Sequence, residues 1–545
     1  MRRAVLCILA VLCGAPTACR RRTPVDAALA TQTLLVGNGA EPATLDPHLA
    51  VTYNDFNIVV ALFEGLTAID EATSLPVPAA AESWDVSPDR LTHTFRLRPG
   101  LLWSNGDPLT ASDFVFSFQR ILEPALAAEY ASMLHVLRGA RDYNEGRLAD
   151  FSKVGVRADG PLALVLTLET PCPHLPAMLA HNAWFPVHPP SIRKFDALRR
   201  RDTPWTRPGN LVSNGPFSLA EWSPGRRLVV RKNPLHRDAP ACRLENVVFL
   251  PNPDTAADER AFRAGQLHLT FDILPSHMDN WRRDHPLNLR ADPFLETFYL
   301  AFNTTRPPLD NPLVRRALSL AIDRETIAEK ILRGSRRPAV SLIPPGTAGY
   351  NLPDALKPPL CDFPAARELL AKAGYPDGRN FPKLDLKFNS DPLNALLFEA
   401  VQEMWRRELG VEISLTQLEY RAYIADMHRL DFDLLRSRWI GDFPDPSTFT
   451  NLFRSNDGNN CTGWRDAPYD ALLRQAAAAD GPERHRLLNA AEKRLLDEAP
   501  IAPIFFGART HLIHTDVQNW VPSLLGVHRY QTLRLERSPE KHPRP

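Results

Sequence analysis

Apolar residues recur along this chain at two spacings, every second residue and every third to fourth, the periods of strands and of amphipathic helices. Thr92-His-Thr-Phe-Arg-Leu-Arg98 alternates polar and apolar side chains, as a half-buried strand does. Residues 411–418 alternate Val, Ile and Leu in the same way, and 217–222 with 227–231 read as a hairpin. Further strands are predicted at 33–37, 161–168, 267–271 and 501–506. Helical spacing appears in 55–66, where Phe56, Val59, Val60 and Phe63 share a face and Gly65 is the expected C-cap. Thr110 and Asp113 form an acidic capping box ahead of 114–121. The stretch 311–333 is helical, broken at Asp323-Arg324 and stopped by Gly334; 363–373 and 393–409 end at Gly374 and Gly410. Shorter helices are predicted at 256–264, 468–478 and 482–496, and a frayed tail at 538–545. Strands and helices alternate without a fixed-period repeat, which predicts an α/β architecture with more than one sheet.

The chain has 545 residues, too many for one hydrophobic core. Length predicts about three domains, or two lobes of which one is enlarged. With 44% apolar and 23% charged residues the composition is that of a folded protein, and its 51 prolines are scattered, which implies many rigid turns. Net charge is +1 with basic residues spread throughout, so no nucleic-acid partner is expected.

The N-terminus is more specific. Arg2 and Arg3 precede an apolar run over 4–12, then small residues and Cys19, the layout of a secretory signal ending at residue 19. That run is well short of the ~20 residues that span a bilayer. Ala18-Cys19 resembles a bacterial lipoprotein cleavage site at which Cys19 carries the lipid. Pro16 and Arg20-Arg21-Arg22 depart from that pattern, and a freely soluble secreted protein is the alternative. Cys172, Cys242, Cys361 and Cys461 remain in the body, with no C-x-x-C pair and hence no zinc or redox signature. Their spacing is open to a disulfide or to single thiols.

Enzyme motifs are mostly absent: there is no G-x-S-x-G, H-E-x-x-H or G-x-x-x-x-G-K-[ST]. Ser191-Ile-Arg-Lys194 matches S-x-x-K without its K-T-G companion. His174, His181 and His188 recur at intervals of seven near Cys172, but the intervening prolines rule out one helix, and surface or capping roles are expected. No catalytic residues, metal or cofactor are predicted. One segment stands out from core sequence: Arg436-Ser-Arg-Trp-Ile-Gly-Asp-Phe-Pro-Asp-Pro446, following the strand-like Phe432-Asp-Leu-Leu. Acids at a strand's mouth beside an aromatic suit a cation; a solvated loop with turn-forming aspartates is the alternative.

At this segment the chain resembles the extracellular solute-binding proteins of oligopeptide ABC importers (family 5). The likeness runs through Asn38-Gly-Ala-Glu-Pro-Ala-Thr-Leu-Asp-Pro-His48, Leu62-Phe-Glu-Gly-Leu66, Ala81-Glu-Ser-Trp84, Phe95-Arg-Leu-Arg-Pro-Gly-Leu-Leu-Trp103, Asn105-Gly-Asp-Pro108 and Ala111-Ser-Asp-Phe-Val-Phe-Ser117. It continues in Ser213-Asn-Gly-Pro-Phe217 with Glu221-Trp222, in Asn303-Thr304 with Val314-Arg-Arg-Ala-Leu318, and in Ala321-Ile-Asp-Arg324.

The resemblance implies a two-lobed periplasmic-binding-protein-like α/β fold with an extra domain, hinged around a ligand cleft. Lobe I would comprise 33–75, 190–297 and 512–537, the extra domain 76–189 and lobe II 298–511. It implies an oligopeptide ligand held by backbone pairing, membrane permease subunits as partners, a monomer, and a place in the periplasm or on the outer face of the membrane. Murein peptide, haem, nickel or another small solute is the alternative cargo. Asp442 falls on the family's acid for the ligand's α-ammonium, Trp439 and Ile440 flank the peptide backbone, and Arg436 falls on an arginine for its carboxylate. Tyr130 and Tyr420 fall near aromatic pocket positions. Asn394 and Leu332 stand where relatives have a histidine and a lysine, Arg333 lies one step away, and Arg438 replaces a small residue.

Overall fold

The computed structural model describes residues 22–538. The signal and lipidation expectations at 1–19, Cys19 included, and the tail beyond Ser538 lie outside the described residues.

Three sheets organise the chain. In the first, Thr33–Gly37 pairs parallel with Asn246–Leu250, which continues antiparallel to Arg227–Lys232 and Phe217–Ser223. The second is antiparallel, in the order Ala81–Val86, Thr92–Leu97, Ala163–Thr167, Val156–Ala158. The third has six strands: Arg337–Pro338, Ile501–Leu512, Leu289–Phe302, Leu434–Ile440, Leu384–Asn389 and Ile413–Leu418. Each sheet carries its own apolar core. One cluster runs from Leu66 to Trp184 around the second sheet, and one joins Leu34, Phe63, Val230, Phe249 and Leu533 around the first. Two lie on the faces of the third sheet, around Phe298, Leu318 and Trp405 and around Leu295, Phe449 and Tyr469.

The lobes are tied by one antiparallel pair. Leu289–Phe302 and Ile501–Leu512 run from the first body, where Leu269 bridges both Val36 and Ile513, into the six-stranded sheet. Their ladder breaks register between Pro293 and Thr297 and again at Phe298/Tyr299. Proline donates no ladder hydrogen bond, so the pair is interrupted at this crossing, where a bend is cheapest.

Most predicted elements are present. Thr110 precedes the helix Ala111–Leu122, and its backbone N–H donates to the Asp113 carboxylate at 2.8 Å. Gly374 and Gly410 follow their helices in the left-handed conformation, at φ +98° and +66°. Two expectations need correction. The helix predicted at 55–66 is Tyr53–Leu62, capped by Thr52, and Phe63 is already extended. Gly65 instead allows close packing: a Cβ there would lie 2.3 Å from the Leu179 carbonyl oxygen. The strand predicted at 267–271 reduces to isolated bridges at Leu269. Cys172 and Cys242 are buried, Cys361 and Cys461 partly exposed, and none of the four is paired.

Candidate functional site

Where the crossing strands enter the six-stranded sheet, the lobes and the second-sheet body surround a cavity of about 740 Å³. Its floor is Phe294 and Glu296 on one crossing strand, Ala508 and Arg509 on the other, and Arg438 to Asp442 at the end of Leu434–Ile440. Its walls come from Tyr53 and Phe56 on the first lobe's helix, Tyr130 and His181 of the second-sheet body, and Phe271, Asp272 and Arg336.

The strand Leu434–Ile440 owes its position to its neighbours. On one side it pairs along its whole length with the crossing strand, from Phe302↔Leu434 to Glu296↔Ile440. On the other side Leu384–Asn389 reaches only Leu434 and Leu435. From Arg436 to Ile440 this second edge has no strand partner among the described residues. The Gly441 N–H then donates to the Leu295 carbonyl at 2.8 Å, and Asp442 follows. A Cβ on Gly441 would lie 2.6 Å from Leu295 Cδ2 and 2.8 Å from Thr448 Cγ2, so any larger residue forces these side chains to shift. Gly441→Ala is expected to cost about 1–3 kcal/mol by overpacking, measured as a lower urea midpoint at unchanged slope.

Beyond Asp442 the loop is clamped. Phe443 stacks on His174 of the second-sheet body, centroids 5.2 Å apart and planes 8° from parallel. The buried Asp445 accepts from Arg484 at 2.6 and 3.0 Å and from the Ser447 N–H and hydroxyl. Burial alone would raise the Asp445 carboxyl; His174 and Arg484 outweigh it and hold the group at about 2. Asp442 has no such partners. Among the described residues no cation lies at ion-pair distance from it, and burial alone pushes its carboxyl up to about 6.

The aromatic wall packs edge to face. Tyr130 meets His181 at 4.6 Å, and Tyr53 meets Phe56 at 5.7 Å and Phe294 at 5.3 Å. Burial, and then the nearby Asp442 carboxylate, raises the Tyr130 phenol, so it stays a neutral hydrogen-bonding group.

Of the residues singled out in sequence, Asp442, Trp439, Ile440 and Tyr130 line this cavity together. Arg436, Tyr420 and Asn394 do not. The Arg436 guanidinium lies 4.8 Å over Phe298, and the Arg436 carbonyl accepts from Tyr423 Oη. Tyr420 is 61% exposed and stacks on Tyr423, while Asn394 is buried and donates to the Asn389 side chain. Leu332 is buried in the core, and Arg333 pairs with Asp279 at 2.9 Å. Arg438 pairs with Glu296 at 3.2 Å. The histidines at intervals of seven sit in different elements. The side chains of His181 and His188 cap short helices, and His174, half-buried against Phe443, stands at the N-cap position of Leu175–Met178 without a side-chain cap bond. Sequence reasoning missed Tyr53, Phe271, Phe294, Glu296, Arg336 and Arg509. A charged Arg509 inside the otherwise buried strand Ile501–Leu512 was the one available signal.

Two lobes joined by a bent strand pair, with a partly polar cavity at the crossing, define a hinged solute-binding protein. The sequence profile of the bacterial extracellular solute-binding proteins, family 5, matches residues 76–461, and the chain belongs to that family. It is 31% identical to the periplasmic oligopeptide-binding protein of Escherichia coli, covering 95% of this chain and 94% of that one. It is 34% identical to a probable deoxycholate-binding periplasmic protein of the same organism (89% and 90% covered). In structure it resembles the unliganded open form of a periplasmic murein tripeptide-binding protein at TM-score 0.84, with 32% identity and 93% and 97% of the two chains covered. A second structure, of the Escherichia coli murein tripeptide-binding protein, gives 0.73 at the same 32% identity, with 93% and 99% covered.

Proposed function

We propose that this chain captures oligopeptides outside the cytoplasm and delivers them to the membrane permease of an ABC importer, in a binding rather than a catalytic role. The observation that carries the reading is the edge at 436–440, without a strand partner among the described residues, which ends at a half-buried carboxylate without a cation. An extended peptide adds to such an edge through main-chain hydrogen bonds, which read no sequence. Its α-ammonium then meets Asp442, an exchange of water for a charged partner that closure makes worthwhile. Trp439 and Ile440 flank the backbone, and Tyr130 walls the first pocket. Arg436, Asn394 and Tyr420 belong to the lobe that moves on closure, and we assign them to the distal end of longer peptides. We place the mature chain in the periplasm or at the outer face of the membrane as a monomer, anchored through lipid on Cys19. No described helix is long and apolar enough to cross a membrane.

Native mass spectrometry of the purified protein tests the proposal. A ladder of co-purified peptide masses is expected; a single non-peptide mass would overturn it. The pH dependence follows from Asp442. With its carboxyl at about 6, the ionised form that holds an ammonium is nearly complete above pH 7 and lost below 6. Affinity for a neutral-side-chain tripeptide is expected to be about tenfold weaker at pH 5 than at pH 7, and to fall about twofold from pH 7 to 8 as the peptide's own ammonium deprotonates. Calorimetric titration checks this, with Asp442→Asn losing the acid limb between pH 5 and 7.

A further inference from the structure

We propose that Arg336 and Arg509 form a second charged subsite of the cavity, one that takes a carboxylate of the bound peptide; this rests on the assignment of Asp442 to the ligand's ammonium. The argument is an inventory of charge. The cavity lining holds three acids, Asp272, Glu296 and Asp442, and three arginines, Arg336, Arg438 and Arg509. Glu296 and Arg438 neutralise each other at 3.2 Å. Asp272 is occupied by the Thr510 hydroxyl and the Ile273 N–H, both at 2.8 Å. Asp272 keeps its charge, since both of its donors are neutral, so Asp272 and Asp442 remain as anions; Arg336 and Arg509 remain as cations without a carboxylate at ion-pair distance among the described residues.

The groups that hold the two arginines in place supply no directly paired carboxylate among the described residues. Arg509 lies over three rings of the cavity wall, 4.6 Å from Phe271, 5.1 Å from Tyr53 and 5.9 Å from Phe294. Ring faces orient a guanidinium and attract it weakly, yet accept none of its in-plane hydrogen bonds in the way a carboxylate does. Arg336 donates to the Ser335 carbonyl at 3.1 Å and, among the described residues, to no side chain. Burial holds the Arg336 guanidinium below its usual range; Glu296 and Asp272 oppose this, and the neighbouring Arg509 adds to it. An anion shared between the two arginines relieves both the desolvation and the repulsion.

This cationic pair is a pole distinct from Asp442, since no arginine of the cavity pairs with that carboxylate. Tyr53 stands under the field of both, Arg509 and Asp442 each acting on its phenol. A zwitterionic or acidic peptide matches such a cavity at both poles. The carboxylate has two sources, the C-terminus of a short peptide or an acidic side chain, and both present the same planar group to a guanidinium.

Four tripeptides separate the possibilities by calorimetry: Ala-Glu-Ala and Ala-Gln-Ala, each with a free and an amidated C-terminus. Removing the recognised carboxylate is expected to weaken binding about tenfold to a hundredfold, the worth of a charge-assisted pair. A loss on amidation identifies the C-terminus, and a loss from Glu to Gln the side chain. Arg509→Met keeps an apolar stem on the rings, and Arg336→Gln keeps a polar side chain. Each is expected to shrink the difference between carboxylate-bearing and neutral peptides, and Arg509→Lys to retain part of it. Equal affinity for all four peptides in the wild type would overturn the subsite. N-acetylated tripeptides mark the other failure. If they bind as well as free ones, the role of Asp442 falls and this proposal with it; if only they bind poorly, Asp442 stands and the second pole alone is refuted.

Discussion

Asp442→Ala is expected to weaken binding of a free tripeptide by about two to three orders of magnitude, the usual consequence of removing one partner of a buried charge pair. N-acetylation of the peptide should do similar damage to the wild type, since it deletes the same contact from the other side. Combined, the two changes should cost little more than either alone, because both remove one interaction and their effects are not additive. Full-affinity binding of acetylated peptide by the wild type would refute the assignment. A second measurement separates loss of contact from loss of structure. Desolvation holds the Asp442 carboxyl at about 6, above the ordinary carboxylate range, so ionising it costs folded stability. That cost is fully present above pH 6 and absent below about pH 4, where folded and unfolded chains are both protonated. Asp442→Asn is therefore expected to stabilise the ligand-free protein at pH 8 by up to about 3 kcal/mol, the equivalent of two pKa units, and to give no gain at pH 4. A variant that binds worse yet melts higher at pH 8 has lost a functional charge.

What was legible in sequence, and what was not, follows burial. The Thr110–Asp113 box, the hairpin of Phe217–Ser223 with Arg227–Lys232 and the glycine stops at 374 and 410 are local devices written in adjacent residues. The crossing strand Leu289–Phe302 escaped because it is buried on both faces from Phe294 onward, so no alternation marks it, and Pro293 argues against a strand. Asp442 was readable because an acid after glycine at a strand's end is incongruous in core sequence. The rest of the cavity was hidden for a different reason. Tyr53, Phe271, Phe294, Arg336 and Arg509 sit on separate segments, and each looks like ordinary core or surface until the lobes bring them together. Resemblance to a family supplied the position of Asp442 but pointed to Arg436 rather than Arg509, and only the structure puts Arg509 on the lining.

The loop that carries Asp442 depends on a buried ion pair one turn away, and Arg484→Ala is expected to be among the most destabilising single changes in the protein. Asp445 and Arg484 expose 8% and 10% of their side chains and form two hydrogen bonds. Removing the cation leaves a buried carboxylate facing His174 at 4.0 Å, too far for a hydrogen bond. Breaking such a pair from one side costs about 3–5 kcal/mol, because the remaining charge keeps its desolvation penalty. The acid limb should move too. Arg484 and His174 together hold Asp445 at about 2, so the wild-type contribution is fully present above pH 4 and fades only as pH falls toward 2. Without Arg484 the carboxyl rises, and the variant should begin to lose its deficit relative to wild type as it protonates at higher pH. The paired change Asp445→Asn with Arg484→Met should recover much of the stability, since no lone charge is left. It should not restore peptide affinity, because the clamp between the Phe443–His174 stack and the helix Gly481–Glu498 positions Asp442. Urea unfolding and calorimetry on the same samples read both quantities. Full affinity in the paired variant would mean that Asp442 is held by the Gly441–Leu295 hydrogen bond alone.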